Sequence, residues 1–143
     1  MFHDVLDEGF NVDRILIGSA GVFSIETKTW SKPSRSQPGI TFDGQALKVL
    51  VAEEDRKPII QALAQARWLH AFLEESTGRQ FQVHPVMLIP GWFIDASAQL
   101  DRSVWVLKPK ALPKSLKDDP PNLSLDDLQL AAYDLSRHVR SEE

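Results

Sequence analysis

Glu26 and Lys28 are the two charged side chains in residues 21–30, a run whose Val, Phe, Ile, Thr and Trp otherwise give it the composition of a buried strand. Residues two apart on a strand point to one face, so the carboxylate and the ammonium share their surroundings. Burying either alone costs several kcal/mol or more, and each therefore needs an opposite charge, hydrogen bonds or a metal ion. Asp13 supplies a further charge from the preceding apolar run, residues 11–18, and pairing of the two runs brings it toward Glu26 or Lys28. Two carboxylates within about 4 Å repel by roughly 4 kcal/mol at an effective dielectric of about 20, and a divalent cation removes that penalty. Hard oxygen ligands with open water positions suit Mg²⁺ or Mn²⁺ better than zinc. The alternative is an ordinary ion pair, Glu26 with Lys28 or Asp13 with Lys28, the commoner outcome for such charges. Spacing leaves both arrangements open.

The elements that must position these groups follow from the apolar pattern. Gly18-Ser19-Ala20-Gly21 supplies turn residues between the two runs, which predicts an antiparallel hairpin. Residues 31–39, with Ser, Pro, Lys, Arg and Gly, read as a loop, and residues 46–52 as a third strand. Glu53-Glu54-Asp55 and Pro58 have the residue types of a helix start, and a long helix is expected to about Ser76, with Gly78 as its stop. On that helix Ile59, Ala62, Leu63, Ala66, Leu69 and Leu73 recur at three-and-four spacing, so one side packs on the sheet. Residues 83–90 and 103–107 read as further strands, the first interior, and the Pro- and Lys-rich residues 108–122 as a loop. Ser124 with Asp127 forms a capping box for a closing helix to about Val139. Strands first, then helix, strand and helix again, argue for an α/β fold around a mixed sheet.

Asp13, the run Ile25-Glu26-Thr27-Lys28-Thr29-Trp30 and the helix opening Lys57-Pro58-Ile59-Ile60-Gln61 together resemble the nuclease-related domain (NERD), a branch of the PD-(D/E)XK nuclease superfamily. Val86 to Phe93 resembles that family's later strand, and the likeness extends from about Phe2 through the closing helix. It implies a restriction-endonuclease-like core, a mixed β-sheet flanked by helices, in a single domain over residues 1–143, and Mg²⁺-dependent hydrolysis of DNA phosphodiesters. By the same resemblance Asp13 and Glu26 would hold the metal, Lys28 would orient the attacking water and stabilise charge on the phosphate, and Gln61 would support the site from its helix. Gln65, one turn on, shares the face of Gln61 and is the neighbouring candidate. One departure stands out: the family usually carries a helix before the first strand with a Glu facing the site, and Asp4, Asp7 and Glu8 do not match it. The expectation is a domain truncated at its N-terminus, with an apolar sheet face left for a homodimer partner or an additional chain.

Lys32 and Arg35 follow Lys28 closely and would contact DNA phosphates, and Trp30 would stack on a base at the strand end. Lys108, Lys110, Lys114 and Lys117 make a second basic stretch with a weaker claim to DNA. Any such contact must be local, because 16 Lys+Arg against 20 Asp+Glu leave the 143-residue chain at a formal charge of −4. The four His residues show no ligand spacing, and neither a Ser nucleophile elbow nor a phosphate-cradling Gly-rich loop is present. Zero Cys excludes thiolate chemistry and suits a reducing cytoplasm; no apolar run reaches the roughly 20 residues of a membrane span, and residues 1–4 lack the pattern of a signal peptide. The competing expectation is a catalytically inactive module of the same fold that binds DNA or protein.

Overall fold

The structure, a computed structural model, describes residues 3–5, 14–29, 39–42, 47–49, 54–91, 93–95 and 103–142. Its fold is α/β, and two sheets carry it. The first has the strand order β1 (His3–Val5), β2 (Arg14–Gly18), β3 (Gly21–Thr27), β7 (Val83–Leu88), β9 (Trp105–Leu107). It is mixed: β1, β2 and β3 run antiparallel in turn, whereas β3, β7 and β9 are parallel neighbours. The second sheet is β6 (Glu54–Asp55), β5 (Leu47–Val49), β4 (Gly39–Phe42), β8 (Phe93–Asp95). Three helices pack with them: α1 (Lys57–Thr77), α2 (Leu112–Asp118) and α3 (Leu125–Glu142).

The expected hairpin forms where the turn residues allow it, with Gly18 opposite Gly21 and Gly21 at φ 140°, a conformation that favours glycine. Its tip is tied down from the far end of the chain, because the amides of Asn122 and Leu123 both donate to the Ser19 carbonyl, at 2.7 and 3.0 Å. The long helix matches its pattern: Ile59, Ala62, Ala66, Leu69 and Leu73 are buried, and it ends at Gly78 in the left-handed conformation with the Gly78 amide on the Glu74 carbonyl. Along its length α1 bridges two parts of the core. Leu69 and Leu73 meet Ile15, Ile17 and Val22 together with Ala131 and Leu135 of α3. Ile59 and Ala62 meet Met87, Ile89 and Val106 together with Phe42 of the second sheet.

Several boundaries differ from the sequence expectation. Glu54 and Asp55 do not open the helix; they pair with Lys48 and Leu47 as the edge strand β6, and α1 starts after Arg56, with Pro58 in its first turn. Residues 108–122 are not a loop throughout, since a 3-10 turn (Pro109–Ala111) leads into α2. That helix bears on the expected uncovered sheet face, for which the structure gives no support. Its Leu112 and Leu116 pack on Phe23, Ile25, Val86, Leu88 and Trp105, the sheet face opposite α1, so this patch is buried within one chain. Among the described residues the exposed large apolar side chains are Ile60, Leu125 and Tyr133, all on helices. The closing helix runs through Glu142, and its cap is as expected in one half. Ser124 Oγ accepts the Asp127 amide at 3.1 Å, but the Asp127 carboxylate pairs with Arg79 rather than reaching back.

Candidate nuclease site

Glu26 and Lys28 sit at the carboxyl end of β3, the central strand of the first sheet. The pleat alternates with Phe23 and Ile25 on the α2 face and Val22 on the face covered by α1 and α3, which assigns Ser24, Glu26 and Lys28 to the latter face. Burial falls along this row toward the strand end. Val22 is fully buried, Ser24 is 3% exposed, and Glu26 and Lys28 are half-buried. The carboxylate atom Oε2 of Glu26 is itself shielded from solvent, and Ser24 Oγ is buried without a hydrogen-bond partner among the described residues. The backbone holds this end firmly: Glu26 pairs with Met87 and Thr27 with Leu88, and the Lys28 amide donates to the Leu88 carbonyl at 2.9 Å.

Helix α1 begins at this same end of the sheet, because Ile59 and Ala62 in its first turns pack on Met87, the register partner of Glu26. A helix N-terminus carries partial positive charge and therefore favours a carboxylate or phosphate nearby. Gln61 lies in these first turns but on the exposed side, whereas Gln65, one turn later, is half-buried. The structure thus brings Glu26 and Lys28 onto one face and sets the Gln61 segment of α1 at the same end. Asp13, Trp30, Lys32 and Arg35 lie outside the described residues.

Among the described residues no three His, Asp or Glu side chains converge as a metal site. Mg²⁺ characteristically takes only one or two carboxylates and completes its shell with water and phosphate oxygens, and the half-buried carboxylate of Glu26 at a strand end is chemically compatible with that demand. His70 and His84 make structural contacts: His70 Nδ1 lies 2.5 Å from the Phe81 carbonyl, and His84 stacks on Phe23 with ring centroids 5.3 Å apart. A groove of about 460 Å³ between α1 and the start of β7, lined by Arg67, His70, Gln80 and Ser103 among others, belongs to the other end of β7 from Glu26.

The α/β core thus carries a carboxylate and a lysine two residues apart at the carboxyl end of its central strand. The nuclease-related domain family matches residues 1–90, well over half of the chain, and the chain belongs to that family, within the PD-(D/E)XK superfamily. No curated protein and no solved structure matches it. Among the described residues no helix is long and apolar enough to cross a membrane. The residues that sequence reasoning left unplaced are Lys108 and Lys110; only the register of β9 against β7 shows which end of the sheet they occupy.

Proposed function

We propose that this domain hydrolyses phosphodiester bonds of DNA with the help of Mg²⁺ or Mn²⁺, at a site built on Glu26 and Lys28. The observation that carries the reading is the placement of this carboxylate and this ammonium on one face at the carboxyl end of β3, in a member of the nuclease-related domain family. Glu26 would be one metal ligand and Asp13 the other. A bound divalent cation would supply an acidified water and polarise a phosphoryl oxygen.

The chain's own residues do the rest. Lys28 places a fixed positive charge where the phosphate gains negative charge as the water oxygen bonds to phosphorus, and it orients that water. The bond from phosphorus to one sugar oxygen breaks; one product keeps the phosphate and the other regains a hydroxyl. Gln61 or Gln65 steadies the site from α1. Trp30, Lys32 and Arg35 are assigned to DNA from their sequence positions just after Lys28. The absence of Cys suits a cytoplasmic location.

The test is Mg²⁺-dependent cleavage of plasmid and linear DNA by the wild type, Glu26→Gln and Lys28→Met. Cleavage by the wild type that falls by about 10²-fold to 10³-fold in each variant is the expected result. Cleavage that persists in both variants overturns the site assignment, and no cleavage of any DNA form by the folded wild type overturns the activity.

A further inference from the structure

The three parallel strands β3, β7 and β9 end in register. Thr27 pairs with Leu88, and Leu88 with Leu107. The next residue of each strand continues the row, since the Lys28 amide bonds the Leu88 carbonyl at 2.9 Å and the Ile89 amide bonds the Leu107 carbonyl at 3.0 Å. Lys28, Ile89 and Lys108 therefore stand side by side at the carboxyl edge of the sheet. Strands β3 and β9 flank β7, so the two lysine positions are separated by about 10 Å, twice the spacing of neighbouring strands. They also share a face. Val106 packs with Met87 and Ile59 on the α1 side, and Lys108, two residues later with extended backbone at φ −75° and ψ 149°, keeps that alternation.

Lys108 opens a longer basic surface. Lys110 lies in the 3-10 turn, and Lys114 and Lys117 lie on α2, whose Leu112 and Leu116 are turned to the sheet. All four lysines are exposed, and none makes an ion pair among the described residues. Like charges at three-and-four spacing repel, a repulsion that an anion lying along them relieves. In a chain of net charge −4, this concentration of positive charge is local, and its upstream end lies at the edge that carries Lys28. The family match ends at residue 90, so these lysines lie beyond it.

We propose that Lys108 and Lys110 bind the sugar–phosphate backbone of the nucleic acid whose scissile phosphate is held at Glu26 and Lys28, and so orient the strand across the end of the sheet. The proposal rests on the nuclease reading of that site. Ligands of α/β sheets generally bind outside the carboxyl ends of the parallel strands, and a phosphate polymer passing over the buried Ile89 would meet Lys28 and then Lys108. Such contacts fix position without reading sequence.

The test is fluorescence anisotropy of a short labelled DNA duplex and the corresponding single strand, in EDTA, with salt raised from about 50 to about 200 mM. The wild type is compared with Lys108→Gln/Lys110→Gln and, as a control of equal charge change, Lys114→Gln/Lys117→Gln. The first pair should flatten the slope of log affinity against log salt by about 2, so that the wild type loses about tenfold more affinity than this variant over the salt range. The control should keep more of the wild-type slope than the first pair does. An unchanged slope in the first pair, an equal loss in both pairs, or no DNA binding by the wild type overturns the proposal. The nuclease reading is judged separately, by Mg²⁺-dependent cleavage that is lost in Glu26→Gln: cleavage with an unchanged slope rejects the lysine assignment alone.

Discussion

The amide of Lys28 donates to the carbonyl of Leu88 at 2.9 Å, one position beyond the last strand pair of β3 with β7. The backbone of Lys28 is thereby fixed by a bond that its side chain does not make. Replacing the side chain keeps that anchor, and Met retains the apolar stem of the half-buried lysine, so Lys28→Met is expected to change stability by about 1 kcal/mol or less. Cleavage should nevertheless fall by about 10²-fold to 10³-fold, the cost of removing a preorganised charge from a transition state. Urea unfolding and DNA cleavage measured on the same preparation separate the two effects.

Glu26 leads to a prediction that needs no substrate. Its carboxylate is partly sheltered at the end of β3, beside the start of α1. Isothermal titration with Mg²⁺ and with Mn²⁺ should show saturable binding to the wild type that disappears in Glu26→Ala. Equal binding by both proteins would remove Glu26 from the ligand set. No binding by the wild type would leave the metal dependent on bound DNA for its remaining oxygens, a case that titration in the presence of a non-cleavable DNA analogue decides.

Gly78 gives a clean measure of backbone conformation. It ends α1 at φ 77°, and a Cβ built on it meets nothing within 4 Å. The cost of Gly78→Ala is therefore that of the left-handed conformation alone, about 1–2 kcal/mol. A lower urea midpoint with an unchanged slope is the expected reading. A loss several times larger would mean that the end of α1 bears on the core beyond its own turn.

The sequence pattern reveals the long helix and the hairpin because each rests on local chemistry: the three-and-four spacing of Ile59 to Leu73, the Gly78 stop, and the turn between Gly18 and Gly21. It misplaces Glu54 and Asp55 because their helix-start character is overridden by pairing with Lys48 and Leu47, a contact between segments. It misses α2 because two prolines and four lysines within residues 108–117 conceal two apolar positions, Leu112 and Leu116. Those leucines are four apart, the one helical signal available, and Pro113 falls in the first turn, where proline is tolerated. For the site, Glu26 and Lys28 are legible from their residue types in an apolar strand. The relation of Lys28 to Lys108 is not, since 79 intervening residues carry no mark of the parallel register that joins them.

Leu116 tests whether this chain covers its own sheet. It is 8% exposed and packs with Phe23, Ile25, Val86 and Trp105, so Leu116→Ala removes the anchor of α2 and should cost about 2–4 kcal/mol. Lys117→Gln, on the same helix but exposed, should stay within about 0.5 kcal/mol of the wild type. Concentration dependence adds a second readout. A face covered from within one chain gives a midpoint that does not move with protein concentration, whereas a face covered by a second copy gives one that rises with it. A concentration-independent midpoint, lowered by Leu116→Ala and not by Lys117→Gln, is the outcome expected of α2 as the cover. A midpoint that climbs with concentration in the wild type would return the homodimer to consideration and assign Leu112 and Leu116 a place beside its interface.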